Sequence, residues 1–278
     1  MHDIVLTTST NNPVVDTILR TIIHSFEHVF PNRVRGYYLI GSYVEDTAVP
    51  LSDIDMFVLF ANDFESLEEE ELAKHQGQYC AKTSPIRLDI GAFPERKLSE
   101  LHPVPRTGLK LGSSLLYGTD VREHIPLPPL SEYYAAFIEG TRYFISLLRN
   151  GAQITIPVNY PDMNAPYYGY TNKNIPEWYP LTTQFGTKEL VATTTRIASS
   201  IVVRENQIYV PGKKAAVTLF QNTNNLWAQF VYEVYHRCKL DWKYRVPRAR
   251  HEQQHLNDLC QQMLAFENMF LQQYCPGR

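Results

Sequence analysis

The sequence predicts an α+β protein: a small mixed sheet flanked by helices, followed by an all-helical half. Three observations carry that reading. Apolar residues alternate between helical and strand spacing from residue 12 to residue 93, the helical repeat dominates from Leu98 onward, and prolines at 126, 128 and 129 punctuate the change. At 278 residues, 44% of them hydrophobic and 20% charged, the chain is long enough for one large domain or two ordinary ones with a real core.

Asn12 followed by Pro13 offers an N-cap and a helix-compatible first position, and Val14, Ile18, Ile22 and Phe26 keep one apolar face to about residue 29. Val34 to Ile40 reads as a strand ending at Gly41, and Ile54 to Phe60 as a second. Phe64 to about Cys80 reads as a helix whose acidic run, Glu68 to Glu71, is a solvated face. Ile86 to Phe93 is a third strand. Helices are then expected near 107–117, 131–149, 187–202, 213–240 and 249–274. The predicted division is a catalytic domain over 1–128 and a helical substrate- and nucleotide-completing domain over 129–278. Within the second, 152–186 is rich in proline and tyrosine and has no sustained period, which suggests an ordered, functional insertion.

Several classes are disfavoured by composition. The formal charge of −3 argues against a dominant electrostatic grip on nucleic acid. No stretch approaches the ~20 apolar residues of a membrane span, and the first residues lack a basic-then-apolar leader pattern, so a cytoplasmic location is expected. Cys80, Cys238, Cys260 and Cys275 are widely spaced, which reads as reduced structural thiols.

The chemistry concentrates in GSYVEDTAVPLSDIDMFVLF, residues 41–60. Asp53 and Asp55 alternate with Ile54, Met56 and Val58, so the two carboxylates share one face of an otherwise apolar strand. Unpaired, they would cost several kcal/mol or take up protons. Magnesium, a hard cation that takes oxygen ligands, turns their repulsion into coordination. Ten residues earlier, Gly41 and Ser42 end the preceding strand, where a sharp turn with backbone N–H donors and a hydroxyl suits a phosphate. The alternative reading makes Asp53 a turn residue and pairs Asp89 with Arg87 or Arg96.

Ile40-Gly41-Ser42, the ten-residue spacer and Asp53-Ile54-Asp55 resemble the signature of the nucleotidyltransferase superfamily that includes DNA polymerase beta. Asp89, in IRLDIGAF, stands where that superfamily carries its third carboxylate. The resemblance implies Asp53 and Asp55 as catalytic metal ligands, Asp89 as a catalytic residue that completes the metal shell or accepts the acceptor's proton, two magnesium ions, ATP as donor, and Gly41 and Ser42 at its phosphates. LKLGSSLLYGTDVREHIPLP (109–128) and PGKKAAVTLF (211–220) are similar to segments of the streptomycin/spectinomycin-type aminoglycoside adenylyltransferases. That closer resemblance implies a phosphate contact from Lys213 or Lys214, against the reading of both as solvated lysines at a helix start. The chain departs from the family in two respects: the third acid there is typically glutamate, whereas here it is the shorter Asp89, and the irregular 152–186 segment has no counterpart there.

The implied activity is transfer of AMP from a nucleoside triphosphate to a hydroxyl of a small molecule such as an aminoglycoside. The rivals are modification of a protein or RNA by the same chemistry, and a nucleotide-binding module without catalysis. HEQQH (251–255) spells a zinc-protease pattern, but Asp258 stands where the extended motif wants glycine and polar residues flank it, so it reads as coincidence. Arg237, Lys239, Lys243, Arg245, Arg248 and Arg250 read as a solvated basic surface.

Overall fold

A computed structural model describes residues 4–171 and 186–275. The chain divides into two compact units, Met1–Ala48 with Ser52–Pro128, and Val49–Leu51 with Pro129–Arg278.

The first unit opens with helix α1 (Pro13–Val29), capped by the Asn12 side chain, which accepts hydrogen bonds from the amides of Val14 and Val15. Strands β1 (Val34–Ile40) and β2 (Ile54–Phe60) follow, then helix α2 (Leu67–Thr83) and strand β3 (Leu88–Pro94). The Ser66 hydroxyl caps α2 by accepting from Glu69 N–H at 3.2 Å. The acidic run thus fills a first helical turn, where negative charge faces the positive end of the helix dipole. Helix α3 (Pro103–Gly112) leads directly into strand β4 (Ser113–Gly118).

That last strand corrects the single helix expected over 107–117. Gly112 ends α3, and Leu115 to Tyr117 then pair antiparallel with β1. A short apolar run has no periodicity of its own to separate helix from strand, and here tertiary pairing decides.

The sheet order is β3-β2-β1-β4, with β2 and β3 parallel and β1 antiparallel to both β2 and β4. Ile54, Met56, Val58 and Phe60 line one face and pack with Val15, Leu19, Ile23 and Phe26 of α1 and with Ala73 and Cys80 of α2. On the opposite face, Tyr38 and Leu59 pack with Leu98, Leu101 and Leu109. The Tyr38 hydroxyl donates to the Thr119 carbonyl at 3.0 Å and accepts from Val121 N–H at 2.8 Å, which folds the chain after β4 back over this face.

The second unit contains helices α4 (Leu130–Leu147), α5 (Lys188–Asn206), α6 (Lys213–Gln221), α7 (Ala228–Glu233) and α8 (Arg250–Tyr274), with a π-helical stretch over Val234–Asp241. The continuous helix expected over 213–240 is therefore broken. Asn222 to Asn225 interrupt it, and the Asn225 side chain accepts from Trp227 N–H at 3.0 Å, a local bond that competes with helical continuation. Fourteen of the nineteen residues of α5 are buried, which makes it the central helix of the unit.

Of the proline- and tyrosine-rich segment, 152–171 and Gly186 fall among the described residues. The described part is pinned to its surroundings. Arg149 donates to the Asn159 carbonyl at 2.6 and 2.9 Å, and Asn268 of α8 bonds both backbone groups of Val158, at 2.7 and 3.0 Å. Glu267, fully buried, accepts from Arg149 at 2.7 Å and from the Tyr170 hydroxyl at 2.6 Å. All four cysteines are free and buried. Among the described residues no helix is long and apolar enough to cross a membrane.

Candidate active site

Pairing register assembles the carboxylates. β2 and β3 run parallel with Asp55 opposite Asp89, and Ile54 opposite Leu88. Asp53, one residue before β2, shares the face of Asp55, and register-matched neighbours in parallel strands point the same way, so all three acids occupy one face. It is the opposite face from the Ile54–Met56–Val58 row. Asp53 and Asp55 are half-buried; Asp89 is exposed on an edge strand and enters no ion pair among the described residues.

The Gly41–Tyr43 segment forms one 3-10 turn at the end of β1. Val44 and Glu45 amides both donate to the Gly41 carbonyl, at 3.0 and 3.1 Å, and the Thr47 amide closes on the Ser42 carbonyl at 2.9 Å. The first amides of such a turn have no acceptor within it, so they are available to an anion. Gly41 has φ +77°, and a Cβ there would lie 2.9 Å from Oδ2 of Asp55. The turn therefore sits directly against the Asp55 carboxylate, and only glycine permits both the backbone and the approach. Gly41→Ala is expected to destabilise the chain by about 1–2 kcal/mol and to displace the Asp55 carboxylate, measured as a lowered denaturation midpoint together with a loss of activity larger than that destabilisation explains.

Two neighbours of the acids have places that the sequence did not reveal. Arg87 precedes β3 and pairs with Asp53, Nε to Oδ2 at 3.8 Å. Tyr43 has its hydroxyl pKa raised by burial and, secondarily, by the Asp53 carboxylate, which places that charge close to the phenol. The R-x-D alternation in IRLDIG was the available signal for Arg87; nothing local marked Tyr43. The anticipated ion pairs of Asp89 are not formed: Arg96 binds Asp63, and Arg87 faces Asp53.

Among the described residues, no three His, Cys, Asp or Glu side chains converge as a ready-made metal cage. The donor set nonetheless fits magnesium. It offers two hard-oxygen carboxylates on one face beside a turn suited to phosphate, and magnesium is commonly held by one or two carboxylates with substrate phosphates and water completing its shell. The second unit holds Lys213 and Lys214 in the first turn of α6, Lys213 half-buried and Lys214 exposed. Cations at a helix N-terminus oppose the dipole and cost some stability, so an anion there would relieve both.

The zinc-like motif is occupied otherwise. Glu252 accepts from the Trp242 indole at 3.1 Å, and His255 lies 3.5 Å from Glu233. Of the late basic residues, Arg237, Lys243, Arg245, Arg248 and Arg250 are exposed as expected, whereas Lys239 is fully buried, its ammonium 3.4 Å from the Tyr235 hydroxyl.

Residues 19–107, which include Gly41, Ser42 and all three aspartates, match the family model of the nucleotidyltransferase domain. No curated protein matches the sequence. Among solved structures, the chain is similar to spectinomycin adenyltransferase AAD(9) from Enterococcus faecialis, solved with ATP and spectinomycin, with a TM-score of 0.53 and 13% identity over 90% of this chain and 98% of that one. At that identity the likeness is one of fold. A toxin-antitoxin structure with AMP-PNP aligns over 49% of this chain and 92% of that one at 18% identity, but its TM-score of 0.29 carries no argument. Residues 19–107 thus match a nucleotidyltransferase domain model, and the α+β fold is similar to that of an adenyltransferase along most of the chain.

Proposed function

We propose that the protein is a magnesium-dependent nucleotidyltransferase that moves AMP from ATP to a hydroxyl of a small molecule such as an aminoglycoside. The observation that carries this reading is the set of three carboxylates on one sheet face, with the Gly41 turn against Asp55. We assign residues 1–128 as the catalytic domain and 129–278 as the helical domain that completes substrate recognition.

Asp53 and Asp55 would hold the metal, and the Gly41–Ser42 turn would bind phosphate oxygens through its amides and the serine hydroxyl. Magnesium, when bound, supplies neutralisation of the charge that builds on the triphosphate and the departing pyrophosphate. Asp89 is exposed opposite Asp55 and is suited to accept the acceptor's proton. In the overall step the acceptor oxygen bonds to the α-phosphorus, the bond to the bridging oxygen of pyrophosphate breaks, and the hydroxyl proton leaves to the carboxylate. A rigid strand suits such a task, because it holds the acids in fixed register.

The lysines are separable by substitution. Lys213→Ala is expected to lower kcat/KM for ATP by about tenfold, the scale of one charge-assisted phosphate contact, whereas Lys214→Ala changes it by less than about twofold. Equal losses in the two variants would remove the distinction drawn from their exposure.

ATP labelled in the α-phosphate, incubated with magnesium and a panel of aminoglycosides and other hydroxylated compounds, tests the acceptor class. The label is expected to move to a small molecule. Transfer only to protein or RNA would keep the chemistry and overturn the acceptor; nucleotide binding without transfer to any acceptor would favour the non-catalytic module.

A further inference from the structure

We infer that Arg87 is the resident counter-ion of the carboxylate cluster, holding Asp53 in the metal-free protein and yielding it when a divalent cation arrives. The inference rests on the metal reading above. Register makes the argument: Asp55 lies opposite Asp89 and Ile54 opposite Leu88, so Asp53 lies opposite Arg87. The sheet face therefore carries a two-by-two array, with Asp53 and Asp55 along one strand and Arg87 and Asp89 along the next. Three negative charges and one positive charge share it, and the guanidinium is the countercharge built into the same lattice.

The contact has the character of an exchangeable pair. Arg87 Nε stands 3.8 Å from Asp53, with the side chains 37% and 20% exposed. The contact is longer than the pairs of Arg149 with Glu267, at 2.7 Å, and of Arg33 with Glu65 and Glu69, at 2.8 and 2.9 Å. A long, partly solvated pair gives little net stability and is released at small cost. Two cations that share one carboxylate weaken each other reciprocally, so removing Arg87 must tighten metal binding.

Manganese alone, without nucleotide, is the probe, titrated by electron paramagnetic resonance against the full chain. Arg87→Met is expected to bind it roughly three- to tenfold more tightly than wild type, the order expected for removing a unit charge near a dication in a largely solvated site. Arg87→Lys, which keeps the charge, should remain within about twofold of wild type, and Asp53→Asn should abolish the gain when combined with Arg87→Met. The melting temperature in chelator should fall in Arg87→Met, and the manganese-induced rise should exceed that of wild type. Measurable wild-type binding that Arg87→Met leaves unchanged or weakens would overturn the counter-ion role alone. No binding in either protein would overturn it together with the metal reading.

Discussion

Asp55→Asn is expected to slow nucleotidyl transfer by roughly 10³-fold, about 4 kcal/mol of transition-state stabilisation, while the protein stays folded. Asp55 is the acid on which the other features converge. It lies opposite Asp89, shares a face with Asp53, and has the Gly41 turn against its carboxylate. Asparagine keeps the shape and one oxygen but loses the charge, so the packing of Ile54 and Met56 behind it is untouched. Relieving repulsion among three acids should leave the thermal midpoint unchanged or raise it slightly. The pairing of lost activity with retained or increased stability is the signature of a functional carboxylate; a variant retaining a tenth of the wild-type rate would exclude Asp55 from the metal shell.

Glu267→Ala is expected to destabilise the second unit by about 3–5 kcal/mol, the range for deleting one partner of a buried ion pair. Glu267 is fully buried, and its carboxylate accepts from both Arg149 and Tyr170. Burial pushes its pKa up, against the downward pull of the Arg149 guanidinium and the Tyr170 hydroxyl. Truncation leaves that guanidinium half-enclosed without its acid, and the tyrosine hydroxyl, in a residue with no solvent exposure, without its acceptor. The same arginine fixes the Asn159 carbonyl, so the start of the proline-rich segment loosens with it. Urea denaturation followed by tryptophan fluorescence measures the loss, and Glu267→Gln, which can still accept both bonds, should recover part of it. A loss under 1 kcal/mol would mean that packing around α8 holds the segment without this network.

The candidate site was more legible in the sequence than the fold around it. Asp53 and Asp55 announced themselves because charges interrupt an apolar strand at period two, Asp89 was marked by the family resemblance, and β1 and β2 are bounded where the alternation ends. β4 was hidden because Ser113–Gly118 is too short to show a period, and it becomes a strand only by pairing with β1. The break in the helix expected over 213–240 depended on a side-chain bond from Asn225. Arg87 read as an ordinary basic residue, or as a partner of Asp89, because its true opposite number is fixed by inter-strand register and not by position along the chain. Lys239 is the reverse case: a lysine among basic neighbours reads as solvated, yet its stem and ammonium lie against Tyr235 inside the helical unit.

The central claim, that these three carboxylates carry out nucleotidyl transfer, meets its most direct test in pyrophosphate release. Wild type with magnesium, ATP and a hydroxylated acceptor should release pyrophosphate, and Asp53→Asn, Asp55→Asn and Asp89→Asn should each lose that release while remaining folded. Absence of release with every common nucleoside triphosphate and acceptor tried, together with Asp53→Asn binding ATP as tightly as wild type in the presence of magnesium, would contradict it.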